Sequence, residues 1–178
     1  MDTHHEREAW ILTGEVVTRH LFGDADGQLE ALSTEECLSY LQRGGVGRVA
    51  FAVGGVAVVL PVDFTVLHGQ EIVFLTGSGS KLHAVESGCV MTFQIDHFEE
   101  RIEAGQARGH RSGWSVLATG PARTSTNPEL LATVAQLGVR PATNPGMLHV
   151  VGIEVRFVTG RRFGWPHNQT RPLHRREP

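Results

Sequence analysis

The sequence predicts a mainly β protein, a six-stranded antiparallel barrel with a few short helices. Three observations carry this. Between Val46 and Gly160, six stretches rich in Val, Phe, Ile and Ala are separated by turn residues. Most of the links are too short for the crossover that parallel neighbours require, so the strands run antiparallel. Helical patterns are few and short, one early and two later, which suits helices capping a barrel rather than alternating with strands.

The bulk properties bound the rest. With 178 residues the chain fits one domain plus extensions and has length for a real core. A hydrophobic fraction of 40% and a charged fraction of 20% are those of an ordinary soluble protein. A formal net charge of -3 argues against non-specific nucleic-acid binding as the main role. The most apolar run, Val46 to Leu60, is interrupted by Arg48, Gly54 and Gly55, so no membrane span is expected. Met1 to Glu8 is polar and acidic and lacks a signal-peptide pattern. Cys37 and Cys89 have neither metal-type spacing nor a disulfide framework, which points to a reducing, cytoplasmic setting. His68, His83, His97 and His110 form no close-spaced motif and His4-His5 reads as tail, so no metal site is expected.

The elements follow in order. Residues 1–30 mix apolar and charged side chains around a Gly23-Asp24-Ala25-Asp26-Gly27 break and are read as an N-terminal extension. Ser33 and Glu36 form a capping box that opens a helix closed by Gly44-Gly45. Val46–Val53 and Val56–Val66 are two strands joined at Gly54-Gly55 as a tight hairpin. Pro61 lies inside the second, which suggests an edge, a bulge, or a place where a ligand replaces a strand partner. Glu71–Thr76 is the third strand, Lys81–Ser87 a short helix, and Val90–His97 the fourth strand, with Met91, Phe93 and Ile95 on one face and Thr92, Gln94 and Asp96 on the other. Phe98–Ser112 is charged and reads as a surface loop or short helix. Gly113–Thr124 is the fifth strand. Asn127-Pro128-Glu129 starts a helix that Gly138 closes, and Met147–Gly160 is the sixth strand. The main domain is expected over residues 31–165, with a basic tail over 166–178.

The stretch with chemical potential is Val73–Leu82, a strand entering Thr-Gly-Ser-Gly-Ser-Lys and then a helix. Such a turn offers backbone N–H groups, hydroxyls and one cation to a phosphate. Lys81 is the only lysine in the chain. A compact, flexible ammonium differs from the arginines used everywhere else. The alternative is a plain Gly/Ser turn with a capped helix. The spacing is not that of a Walker loop.

Taken in order, Val46-Gly47-Arg48-Val49-Ala50-Phe51, Leu60-Pro61-Val62-Asp63-Phe64, Phe74–Leu82, Gly113-Trp114-Ser115-Val116-Leu117 and Thr159–Phe163 resemble the pyridoxamine 5′-phosphate oxidase-like, FMN-binding split-barrel family. The resemblance covers roughly Leu32–Phe163. It implies a split β-barrel and a homodimer with FMN at the subunit interface. By matching motif, Thr76, Ser78, Gly79, Ser80 and Lys81 would surround the FMN phosphate, while Pro61, Val62, Asp63 and Phe64 would lie along the isoalloxazine. Trp114 and Ser115 would approach the cofactor or the dimer interface, and Arg161 or Arg162 a phosphate, a substrate or simply the surface.

Two positions depart from the family pattern. Related sequences often carry arginine just before the threonine of the phosphate strand, where this chain has Leu75, so one charge partner is absent. Asn-Tyr is common where this chain has Asp63-Phe64. An acid there would disfavour the reduced anionic flavin unless it is protonated, turns away to solvent or pairs with an arginine. The resemblance therefore implies an FMN-dependent oxidoreductase acting on a small organic substrate, with no residue marked as an acid–base catalyst. An F420-dependent reductase of the same fold is the alternative, using a basic groove from Arg108, Arg111, Arg161 and Arg162. A flavin-binding or sensor protein without turnover is the third reading.

Overall fold

The computed structural model describes residues 29–101, 110–142 and 146–164. Its elements are β1 (Leu29–Ala31), α1 (Thr34–Leu41), β2 (Gly45–Val53), β3 (Val56–Leu67), β4 (Glu71–Thr76), α2 (Ser80–Glu86), β5 (Val90–Arg101), β6 (His110–Ser125), α3 (Pro128–Gln136), β7 (His149–Glu154) and β8 (Phe157–Phe163).

Local chemistry explains where these elements start and stop. The capping box forms as expected: the Ser33 amide donates to Glu36 Oε2 at 2.8 Å, and the Glu36 amide donates to Ser33 Oγ at 3.2 Å. Gly54 and Gly55 both have positive φ, 56° and 80°, which is what a two-residue hairpin between twisted strands needs. Asn127 caps α3 by accepting from the Glu129 amide at 2.9 Å, with Pro128 in the first turn.

Every strand pair is antiparallel. The strand order is β1-β8-β6-β5-β2-β3-β4-β7, and β7 also pairs with β6. That last pairing closes β2, β3, β4, β7, β6 and β5 into the expected six-stranded ring, and β8 and β1 extend the sheet beyond β6. The fold is thus a mainly β, antiparallel barrel with three helices among the described residues.

Alternation sorts the side chains. Val49, Phe51, Val62, Phe64, Met91, Phe93, Ile95, Val116 and Ala118 point inward, joined by Leu41 and Cys37 from α1. Phe64 and Phe93 meet in a tilted pair with centroids 4.6 Å apart. The other face of β4 is also covered, because Val73 and Leu75 pack with Val134 of α3, Val139 and Val150 in a second core. By contrast, the outer face of β2, β3 and β5 leaves Val46, Val59, Val90 and Phe98 exposed.

Two expectations are corrected. The last strand, expected as one run over Met147–Gly160, divides into β7 and β8 at Val155-Arg156. β6 pairs with both halves, Ala122 opposite Ile153 and Thr119 opposite Phe157. Two residues of β6 therefore face three of the other strand, a bulge of one residue. Gly120 permits it, since a Cβ there would collide with the Glu154 carbonyl. Second, Phe98–Ser112 is not a loop or short helix at its ends: β5 and β6 continue as a ribbon to the pair Arg101–His110. Its charged sequence suits a ribbon solvated on both faces, and the ladder satisfies the backbone. Leu29–Ala31, which spans the expected boundary between the extension and the main domain, adds a strand to β8. Residues 1–28 of the extension, residue 165 and the tail over 166–178 lie outside the described residues.

Candidate functional site

The site is built where β3 parts from β4. Their ladder runs from Leu67–Glu71 to Phe64–Phe74 and stops. Continuing the register would set Val62 opposite Thr76, but no such pair forms. β3 continues against β2 alone, from Phe64 to Val56. Its far edge is bare of strand partners among the described residues, and Pro61, which has no N–H to donate, lies just past the parting. The expected ring-side segment Pro61–Phe64 and the expected phosphate turn Thr76–Lys81 therefore form the two banks of one mouth.

The banks differ in character. On the β3 bank, Val62 and Phe64 are buried and point into the core, so only their backbone is available at the edge. Pro61 is exposed and Asp63 half-buried on the outer face. Asp63 has no hydrogen bond or ion pair among the described residues. On the other bank, Thr76 is buried and its hydroxyl donates to the Gly77 carbonyl at 3.2 Å. Ser78, Gly79 and Ser80 are exposed. Gly79 is the N-cap of α2 and supplies no side-chain cap, so the first amides of that helix have no side-chain acceptor. Lys81 is half-buried with no carboxylate partner among the described residues, and burial lowers its pKa from the ordinary lysine value. An uncompensated, partly desolvated ammonium beside free amides and two hydroxyls suits a phosphate.

Leu75 does more than omit a cation. Its side chain lies in the core under α3, 4% exposed, facing away from the mouth's polar groups.

Trp114 and Ser115 are placed apart. They are neighbours on β6 and so face opposite sides of the sheet. Trp114 stacks on Tyr40 of α1 with centroids 4.0 Å apart. Ser115 lies on the outer face, in register with Asp96 and Arg161. The two arginines of β8 divide likewise. Arg162 donates to Glu36 Oε1 at 2.9 Å and Glu30 Oε2 at 3.4 Å, tying β8 to α1 and β1. That leaves it a structural clamp. Arg161 is half-buried on the other face, where burial lowers its pKa. Of the remaining basic-groove residues, Arg108 and the side chain of Arg111 lie outside the described residues.

One feature of the outer face was not singled out from the sequence. Arg48 donates to Gln94 Oε1 at 3.1 Å and pairs with Asp96, which also accepts from Gln94 Nε2 at 2.7 Å. Arg48 is opposite Pro61 in the β2–β3 register, so this network braces the β3 bank from behind. The polar Thr92-x-Gln94-x-Asp96 alternation was its only sequence signal. His68 and His83 are exposed, in the β3–β4 turn and on α2. A separate open cleft of about 420 Å³ lies at the far end of β4, between Glu71, Arg123, Glu154 and Arg156. Its Glu154 is paired with Arg156 at 2.6 Å. Among the described residues there is no group of three or more His, Cys, Asp or Glu able to hold a metal, and no helix is long and apolar enough to cross a membrane.

An uncharacterised protein of Mycobacterium tuberculosis is 31% identical over 136 residues, covering 74% of this chain and 84% of that protein. The solved structure of an FAD-binding protein from Mycobacterium smegmatis is 28% identical, with a TM-score of 0.54 over 76% of this chain and 98% of that one. An FAD-binding protein from Mesorhizobium loti, 20% identical, shares the fold with a TM-score of 0.60, covering 75% of this chain and 97% of that one. The family model described as pyridoxamine 5′-phosphate oxidase matches residues 33–162, from the capping box to the clamp arginine of β8. On that match over most of its length, the chain belongs to the pyridoxamine 5′-phosphate oxidase family.

Proposed function

We propose that the protein is a flavin-dependent oxidoreductase acting on a small organic substrate, with FMN held in the mouth between β3 and β4. The observation that carries this reading is the parting of the two strands after Phe64–Phe74, which sets a β3 edge against a turn holding Lys81, neither with a partner among the described residues. Ser78, Ser80, Lys81 and the first amides of α2 would take the phosphate. The backbone of Pro61–Phe64 would address the polar edge of the ring. When bound, the flavin supplies the electron-transfer chemistry, and the chain's role is to bind, orient and shield it.

A homodimer belongs to the same proposal. Val46, Val59, Val90 and Phe98, exposed by 69%, 58%, 50% and 63%, share the outer face with the bare β3 edge. A second copy would cover that apolar face and roof the mouth.

FAD enters because the Mycobacterium smegmatis protein at 28% identity is named for it. F420 has less support, since Arg162 is committed to Glu30 and Glu36. The test is the absorption spectrum of the purified protein, followed by separate titrations with FMN, FAD and F420 and by sedimentation velocity. Saturable FMN binding by a dimer is expected. A colourless protein that binds none of the three would refute the reading.

A further inference from the structure

We propose that Asp63 sets the redox poise of this site, favouring oxidised over reduced flavin and so making the reduced cofactor a stronger electron donor than it is free in solution. The inference rests on the flavin reading above and adds to it a direction of electron flow.

Its basis is the distribution of charge around the mouth. The Asp63 carboxylate is half-buried on the outer face, one residue past the last β3–β4 pair. Its partner in the β2–β3 register is Val46, which offers no charge. Arg48 is opposite Pro61 and therefore diagonal to Asp63, at a spacing typical of about 7–8 Å. That guanidinium is already paired with Asp96 and bonded to Gln94, so its charge is matched within the β2–β5 network. Lys81 belongs to the opposite bank. Among the described residues the mouth is consequently polarised, with an unmatched cation at the turn and an unmatched anion on the β3 edge.

This polarity has opposite effects on the two ends of a flavin phosphate. The phosphate is anionic in both redox states, so Lys81 favours binding without discriminating between them. The ring gains electron density on reduction, and a carboxylate beside it opposes that gain in a partly desolvated site. Discrimination between oxidised and reduced cofactor thus falls to Asp63. A wild-type protein built this way binds oxidised FMN more tightly than reduced FMN.

The test is spectroelectrochemical titration of the FMN-loaded wild type, Asp63→Asn and Asp63→Glu at pH 7. Asn keeps the shape and removes the charge, and Glu keeps the charge. Asp63→Asn is expected to raise the affinity for reduced relative to oxidised FMN about tenfold, which is about 30 mV in the midpoint of a two-electron couple. Asp63→Glu is expected to stay near the wild type. A midpoint unchanged in Asp63→Asn, with FMN still bound, overturns the assignment of Asp63 alone. A wild type that binds no FMN gives no flavin spectrum to titrate, and overturns the flavin reading together with this one.

Discussion

Replacing Lys81 with methionine separates the two roles this residue has in the mouth. Methionine keeps most of the apolar stem and removes the charge. In the protein without ligand the ammonium is half-buried, has no counter-charge among the described residues, and has its pKa lowered by burial. A lowered lysine pKa means that the folded state holds its proton less firmly than the unfolded state. The charge therefore costs stability below the lowered value, and the cost disappears as pH rises towards the ordinary 10.5. Lys81→Met should be at least as stable as the wild type at neutral pH, with the two converging in alkali. Phosphate binding should respond in the opposite sense. Losing one charge-assisted contact costs about 1.5–3 kcal/mol, roughly a ten- to hundredfold loss of FMN affinity. Because the site opens to solvent, the deficit should shrink as salt rises and the Debye length falls from about 10 Å at 0.1 M to about 3 Å at 1 M. Fluorescence titration of FMN at several salt concentrations, beside thermal unfolding of the ligand-free proteins, reads both effects. Equal FMN affinity of variant and wild type at all salt concentrations would refute the phosphate assignment. A variant less stable than the wild type at neutral pH would refute the claim of an uncompensated charge.

Other consequences are simpler. Phe93 is fully buried against Phe64, so Phe93→Ala should lower unfolding free energy by about 3–5 kcal/mol in a urea titration. The Glu36 carboxyl is held below its ordinary 4.5, first by the Ser33 amide and then by Arg162. That stabilisation is present above 4.5 and is lost as pH falls through the lowered value, so the gap in melting temperature between wild type and Glu36→Gln should close in acid. Cys37 is completely buried, and desolvation pushes its thiol up to about 11. Mass spectrometry after iodoacetamide treatment at neutral pH should find Cys37 unmodified in the folded protein and alkylated in denaturant.

What the sequence made legible was mostly local. The Ser33–Glu36 cap, the Gly54-Gly55 hairpin and the Asn127-Pro128 helix start depend on residues within a few positions of one another, and all form. The anomaly of Pro61 inside a strand was also readable, and it marks the parting of β3 from β4. What could not be read depends on register. The β7–β8 bulge arises where β6 changes partner at Gly120, a contact between segments more than thirty residues apart. The Arg48–Gln94–Asp96 network spans two strands that meet only in the fold. Leu75 read as a missing cation, whereas α3 makes its position part of a second core. The β5–β6 ribbon was hidden because glycine and charge are shared by loops and doubly solvated strands. Trp114 and Ser115 are neighbours in sequence, and strand alternation sends them to opposite faces.

The chain's single lysine permits a direct test of the central claim that Lys81 and its turn hold the phosphate of a flavin. Labelling with ¹⁵N-lysine yields one backbone amide signal, from Lys81. Titration with FMN should shift that signal saturably, and riboflavin, which lacks the phosphate, should move it far less. Flavin binding that leaves the Lys81 amide unmoved, or equal shifts with FMN and riboflavin, would contradict the account.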